Sequence, residues 1–273
     1  MKSNRYSIYW RIGLLIVGAI SMIPLIYLIS MSFRTPETAF DPVIFKWPIV
    51  LDNYKTIFAE NELYKNFISS MIITVTTVVL VTLFASMAAF GLTRKEVKFK
   101  NGIYNLLLIT LMVPICSLLI PLTQINSSFN MLNKYQGLIL PYTALGIPFA
   151  LVILKGFMDN FPTEIEEAAK VDGCSNFILF FKIVLPTLRP GIIVVVIWQF
   201  LTTWNEFLLA LVVMSEKNMK TLTLVPMLYQ GQYFSQPGAL FAILVIISIP
   251  MIAFYILVQK YFVQGLMSGS VKG

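Results

Sequence analysis

The chain has 273 residues, 58% of them hydrophobic and 12% charged, with a formal net charge of +7 and no histidine. A water-soluble domain carries about 25% charged residues, so the shortfall points to a lipid solvent rather than a large aqueous core. The missing histidine removes imidazole catalysis and histidine metal sites, and no Gly-x-x-x-x-Gly-Lys-Ser/Thr loop is present to cradle nucleotide phosphates.

Residues 1–11 are polar and basic, with Lys2, Arg5 and Arg11. Residues 12 to about 31 form an apolar run long enough to cross about 30 Å of hydrocarbon as a helix. No small-x-small cleavage site follows cleanly, so the run reads as a retained first helix that starts on the inner side. Residues 32 to about 65 form the longest loop, with balanced charge that suits the outer face; Pro36 and Pro48 mark turns in it. Residues 66 to about 92 read as a second helix rich in small residues, among them Thr74, Thr77, Ser86 and Ala89, which let helices approach closely in lipid. The run from Arg94 to Lys100 is a short basic loop and the strongest inside marker; it reads otherwise as solvated. A third helix over 103 to about 123 is expected to kink at Pro114 and Pro121. A fourth over 136 to about 157 is interrupted by Pro141, Gly146 and Pro148. Cys116 lies in an apolar run and Cys174 in the next polar stretch, which argues against a disulfide between them.

Residues 162–190 are the one long cytosolic-looking passage between spans. Thr163 and Glu166 have the spacing of a capping box. Glu164, Glu166 and Glu167 crowd the first turn, where the helix dipole favours negative charge. Glu166 and Lys170 stand four apart in the favourable order, and Gly173 is placed as a left-handed stop. Ser175 can cap a second short helix. Phe177, Phe180, Phe181 and Val184 fall on one apolar stripe of it, and Pro186 is expected to end it. Ala168 and Ala169 are small enough to let a partner surface approach. The set Glu167-Ala168-Ala169, Asp172-Gly173 and Ile183-x-Leu185-Pro186 resembles the EAA loop of binding-protein-dependent ABC importer permeases. Cys174 stands where that family usually has alanine. The resemblance implies a coupling helix that docks on a separate ATPase, with Glu167 as a charged docking contact and Gly173 as the hinge.

Residues 191 to about 214 read as a fifth helix with one polar stripe: Gln199, Thr202, Thr203 and Glu206, with Asn205 beside it. On a continuous helix Glu206 lies about 22 Å from the inner end. A carboxylate at that depth costs about 2.5 to 3.5 kcal/mol unless it faces a cavity or partner. Two readings stand: a wall of a translocation path, or hydrogen bonds that fix helix packing. Trp204 reads as an interfacial belt residue in preference to a sugar-stacking platform. A loop over 215 to about 237 includes Gly231-Gln232-Tyr233-Phe234, and a sixth helix over 238 to about 262 carries Pro250. The tail, with Gln264, Gly265, Gly269 and Lys272, resembles that of the maltose-system second permease and its carbohydrate-uptake relatives. Met267, Ser268 and Ser270 stand where those usually have threonine and alanines. The family implies a tail near paired ATPases.

The basic residues gather beside apolar runs, so the positive charge reads as topology rather than a nucleic-acid surface. Thirteen of the 20 fall in the inner segments, which sets both termini in the cytosol. The expectation is an all-α polytopic protein with six transmembrane helices and the type I ABC importer permease fold. It divides into 1–65 (first helix and outer loop), 66–262 (transmembrane core) and 263–273 (cytosolic tail). The resemblance implies a sugar or oligosaccharide importer in the cytoplasmic membrane of a prokaryote. Its partners would be a second, different permease, two ATPase subunits and an extracytoplasmic solute-binding protein. ATP and Mg would sit on the ATPase, with no cofactor and no metal on this chain. The alternative is an ion-coupled secondary transporter, for which Glu206 alone, without His, Asp or Arg in the spans, is thin support.

Overall fold

The apolar runs become helices because a backbone in lipid must satisfy its own N–H and C=O groups. The computed structural model describes residues 3–39, 41, 43, 44, 46–60, 63–94, 97–231 and 236–270, and of these the side chains outside 3–8, 60 and 261–270. In chain order come α1 (Ser3–Ser32), a 3-10 turn at Pro36–Thr38, α2 (Asp52–Glu60), α3 (Leu63–Arg94), α4 (Lys100–Thr110), α5 (Ile115–Ser128) and α6 (Gln136–Asp159). Then follow α7 (Thr163–Val171), α8 (Asn176–Ile178), a π-helical stretch at Leu179–Val184, α9 (Leu185–Thr187), α10 (Arg189–Trp204), α11 (Leu208–Val213), a 3-10 stretch at Leu222–Tyr229 and α12 (Pro237–Ser270).

Among the described residues four helices are long and apolar enough to cross a membrane: Tyr9–Ser32, Leu63–Arg94, Gln136–Asp159 and Pro237–Lys260. Two pairs pass the same test together but bend, α4 with α5 by 101° and Asn176–Thr187 with α10 by 76°. Counting each pair as one broken span gives six among the described residues.

Four expectations need correction. The third helix does not kink at Pro114; it breaks there, and Pro114 takes the extended N-cap conformation of α5. The fourth is not interrupted. Pro141 lacks the N–H that would bond the carbonyl of Gly137, and Asn126 Nδ2 donates to that carbonyl instead at 2.9 Å. The fifth stops at Trp204 and restarts at Leu208. Pro186 does not end its helix, because the preceding turn is widened: Leu185 N donates to Phe180 O, five residues back. A wide turn leaves room for a ring that an ordinary α turn would clash with. The helix bends at Leu188 instead.

The chain divides into two compact units, Met1–Leu63 with Val225–Pro250, and Tyr64–Leu224 with Met251–Gly273. In the first, Arg34 is buried and donates to the carbonyls of Thr38 and Asp41 as well as to those of Val43 and Ile44, so it holds the loop after α1 in shape. Asn53 Nδ2 ties α2 to the end of α1 through Ser32 O and Arg34 O at 2.9 and 2.8 Å.

In the second unit α3 packs through small residues, as its composition predicts: Thr74, Thr77, Ser86, Ala85 and Ala89 are all essentially buried. Apolar clusters run along it. One gathers Ile73, Leu138, Tyr142 and Leu209, a second Val81, Ala89, Leu151 and Val195, and a third Phe90, Met158, Leu179 and Val184. Polar side chains fasten the loop after α11. Asn133 Oδ1 accepts from Ser215 N and Glu216 N at 2.7 and 3.0 Å, and Ser70 Oγ accepts from Leu222 N at 2.8 Å.

Candidate functional site

Between α6 and α10 the sequence folds into a compact loop. Pro162 is the N-cap of α7, with the extended backbone that position takes and no side-chain cap. Thr163 is therefore the first helical residue, and the expected capping box is one position out of register. Glu166 turns inward instead. It is 3% exposed, and Arg94 Nε donates to its Oε1 at 2.8 Å, in place of the local pair with Lys170. Removing one partner of such a buried pair costs about 3 to 5 kcal/mol. Arg94, read from sequence as part of a solvated loop, is thus a structural residue of this site.

The helix ends as the glycine predicts. Gly173 has φ +79°, its N–H reaches Lys170 O, and Cys174 N reaches Ala169 O, both at 3.0 Å. This pair of bonds is a Schellman motif, which satisfies carbonyls the helix leaves open. Ser175 Oγ then accepts from Ile178 N at 3.4 Å and caps α8. The π turn shifts the expected stripe: Leu179, Phe180 and Val184 are buried, while Phe177 is 72% exposed.

The predicted coupling residues separate into two groups. Glu167, Ala168, Asp172 and Gly173 are exposed, beside Ile165 and Val171. Ala169 is buried and Ile183 and Leu185 are half-buried against the cluster around Phe180; Pro186 is exposed. The two alanines therefore differ: one faces outward and the other packs the loop onto the bundle.

The second site is a cavity of about 240 Å³ whose walls include Leu111, Ile115, Tyr142, Gly146, Phe149, Trp198, Gln199, Thr202, Thr203 and Glu206. All four stripe residues border it. Gln199 Nε2 donates to Thr203 Oγ1 at 2.8 Å. Gly146 makes room for Gln199, since a Cβ there would lie 2.3 Å from its Oε1. Trp198 stacks on Phe149 with centroids 4.6 Å apart.

Glu206 is not on a continuous helix. It sits in the break, where its Oε1 accepts from Leu209 N at 2.9 Å and its Oε2 from Ala210 N at 3.1 Å and from Tyr142 Oη. It therefore both borders the cavity and caps α11. Asn205 lies outside the lining, with Nδ2 on Leu201 O at 2.8 Å. Trp204 is neither belt nor platform: it is 2% exposed, parallel to Phe200 and edge-on to Phe67. Gln264, Gly265 and Gly269 fall in the last turns of α12. Lys272 lies outside the described residues, as do Gln232, Tyr233 and Phe234.

Residues 81–268, which hold both sites, match the binding-protein-dependent transport system inner membrane component family. The chain belongs to this family. Curated relatives align along almost its whole length. It is 35% identical to the arabinooligosaccharides transport system permease protein AraQ of Halalkalibacterium halodurans, covering 96% of this chain and 95% of that protein. It is 33% identical to the multiple sugar-binding transport system permease protein MsmG of Streptococcus mutans, covering 99% of each. To the trehalose transport system permease protein SugB of Mycobacterium tuberculosis it is 31% identical, covering 98% and 99%. It also superposes, with a TM-score of 0.79 and 20% identity, on a chain of a bacterial ABC transporter involved in the import of the acidic polysaccharide alginate, covering 96% of this chain and 98% of that one. The fold is thus that of an ABC importer permease, and the protein is a membrane-embedded transport component, as the loop motif implied.

Proposed function

We propose that the chain is the permease subunit of an importer that moves a sugar or oligosaccharide into the cytoplasm. The observation that carries this is the exposed face of α7: Glu167, Ala168 and Val171 stand outward on a helix fixed to the bundle from behind. An exposed apolar patch flanked by an acid is suited to a protein groove. On this reading it docks on one of two separate ATPase subunits, which hold ATP and Mg, and a second permease completes the path. A solute-binding protein delivers substrate from outside. Both termini lie in the cytosol of a prokaryote. The carbohydrate class rests on relatives named for arabinooligosaccharide, multiple-sugar and trehalose transport.

Substrate would pass the cavity beside α10, where Gln199, Thr202 and Thr203 offer hydrogen bonds and Trp198 an aromatic face. The carboxylate of Glu206 is taken up by two backbone N–H groups and a tyrosine. That leaves it poorly placed to bind a coupling ion and weighs against the ion-coupled alternative.

The test is a gentle-detergent pull-down of the tagged chain and of Glu167→Arg, with mass spectrometry of what co-purifies. Wild type should bring down a P-loop ATPase and a second permease; Glu167→Arg should keep the permease and lose most of the ATPase. Recovery of the chain alone in several detergents, or equal ATPase with both forms, would reject the reading.

A further inference from the structure

Arg94 is the last residue of α3, and its side chain is 13% exposed. Its Nε holds Glu166 of α7 at 2.8 Å. Its Nη2 donates to Met158 O at 2.9 Å and also to Phe161 O. Met158 is in the last turn of α6 and Phe161 two residues past its end, where the helix dipole is negative. One guanidinium therefore binds three elements: α3, the end of α6, and α7.

We propose that Arg94 is a positioning residue for energy coupling, the link that carries a displacement of α7 into α3 and α6. The proposal rests on reading α7 as the ATPase-docking helix. The two adjacent carboxylates then divide the work: Glu167 faces a partner, and Glu166 faces the bundle.

Among the described residues, α7 is held to the bundle, apart from the ion pair, by apolar contacts such as those of Ala169 in the cluster around Phe180. Apolar burial is non-directional and lets surfaces slide, whereas a charge-assisted bond of 2.8 Å fixes both distance and angle. Next, the covalent route from α3 to α7 is long: Arg94 and Glu166 are 72 residues apart. The ion pair gives α3 a fixed connection to the loop. Last, α6 continues from the gripped end into Phe149, Gly146 and Tyr142, which border the cavity. A pull on Met158 and Phe161 is a pull on the cavity wall. Lysine cannot substitute, because a single ammonium does not reproduce the planar fork that reaches a carboxylate and two carbonyls at once.

The experiment measures substrate taken up per ATP hydrolysed by the full transporter in proteoliposomes, for wild type, Arg94→Lys, Glu166→Gln and Glu167→Arg. Arg94→Lys should assemble normally and hydrolyse ATP within about twofold of wild type, while uptake per ATP falls about tenfold, within the range of coupling between linked sites. A purely structural role would lower assembled complex and leave the ratio unchanged in what remains. That result, or an unchanged ratio in a fully assembled Arg94→Lys transporter, overturns the proposal. If Arg94→Lys does not assemble, Glu166→Gln carries the same comparison with the same two outcomes. Glu167→Arg separates the two readings. If it retains bound ATPase and a normal ratio, the docking reading of α7 fails whatever Arg94 does. If it loses the ATPase while Arg94→Lys keeps a normal ratio, only the present proposal fails.

Discussion

At Gly173 the backbone takes φ +79°, and a Cβ built there would meet nothing within 4 Å. Bulk is therefore not what excludes a side chain; the dihedral is. An L-residue in this region costs about 1 to 2 kcal/mol, and β-branched residues are outliers there. Asparagine is tolerated, as at other helix stops. We predict that Gly173→Asn keeps substrate uptake near wild type, while Gly173→Val lowers both uptake and the ATPase co-purified, at matched membrane levels. Equal behaviour of the two variants would mean that the turn does not set the position of α7. Gly173 was legible in the sequence because its signal is local: a periodic helix, then glycine. Ser175 was legible for the same reason. Glu166 was not. The local rule pairing it with Lys170 is worth only about 0.2 to 0.5 kcal/mol, and a partly buried arginine 72 residues away overrides it. No local pattern announces such a partner.

Among the elements, the apolar runs fixed which segments are helical, and the breaks followed a different logic. Prolines misled in both directions. Pro141 sits in an unbroken helix because Asn126 replaces its missing bond, whereas the break after Trp204 has no proline or glycine to mark it. There Glu206 stabilises the interruption by capping the short α11. Removing a helix cap costs about 1 kcal/mol, and a buried hydroxyl left without a partner adds about 1 to 3 kcal/mol. Tyr142, 5% exposed, would be that hydroxyl. Glu206→Ala should thus lower the thermal midpoint of the purified chain in detergent more than Tyr142→Phe does. Adding Tyr142→Phe to Glu206→Ala should cause little further loss or a partial recovery, because the stranded hydroxyl is gone. Strictly additive losses would show that the pair is not coupled. The four residues of the stripe border one space, and the last of them reaches it from a break and not from a helix.

For the molecule as a whole, orientation decides whether the loop can meet an ATPase at all. The proposed topology rests on the distribution of Lys and Arg, which biases short loops to the cytosol. It places Cys174, next to Gly173, on the cytosolic side. The chain has two cysteines, Cys116, which is exposed, and Cys174, which is partly exposed. In a Cys116→Ser form a membrane-impermeant maleimide should therefore report on Cys174 alone. Labelling, followed on the tagged chain by mass, should occur in inside-out vesicles and not in right-side-out ones. Stripping the ATPase subunits from inside-out vesicles should speed it further, because Cys174 follows directly on the docking helix. Labelling from the outer side would put α7 across the membrane from any cytosolic ATPase, and both the docking role of Glu167 and the linkage through Arg94 would fall with it. Labelling from the inner side that is unaffected by stripping would keep the topology but move the docking surface away from Gly173, toward the outward-facing turn of Glu167 and Ala168.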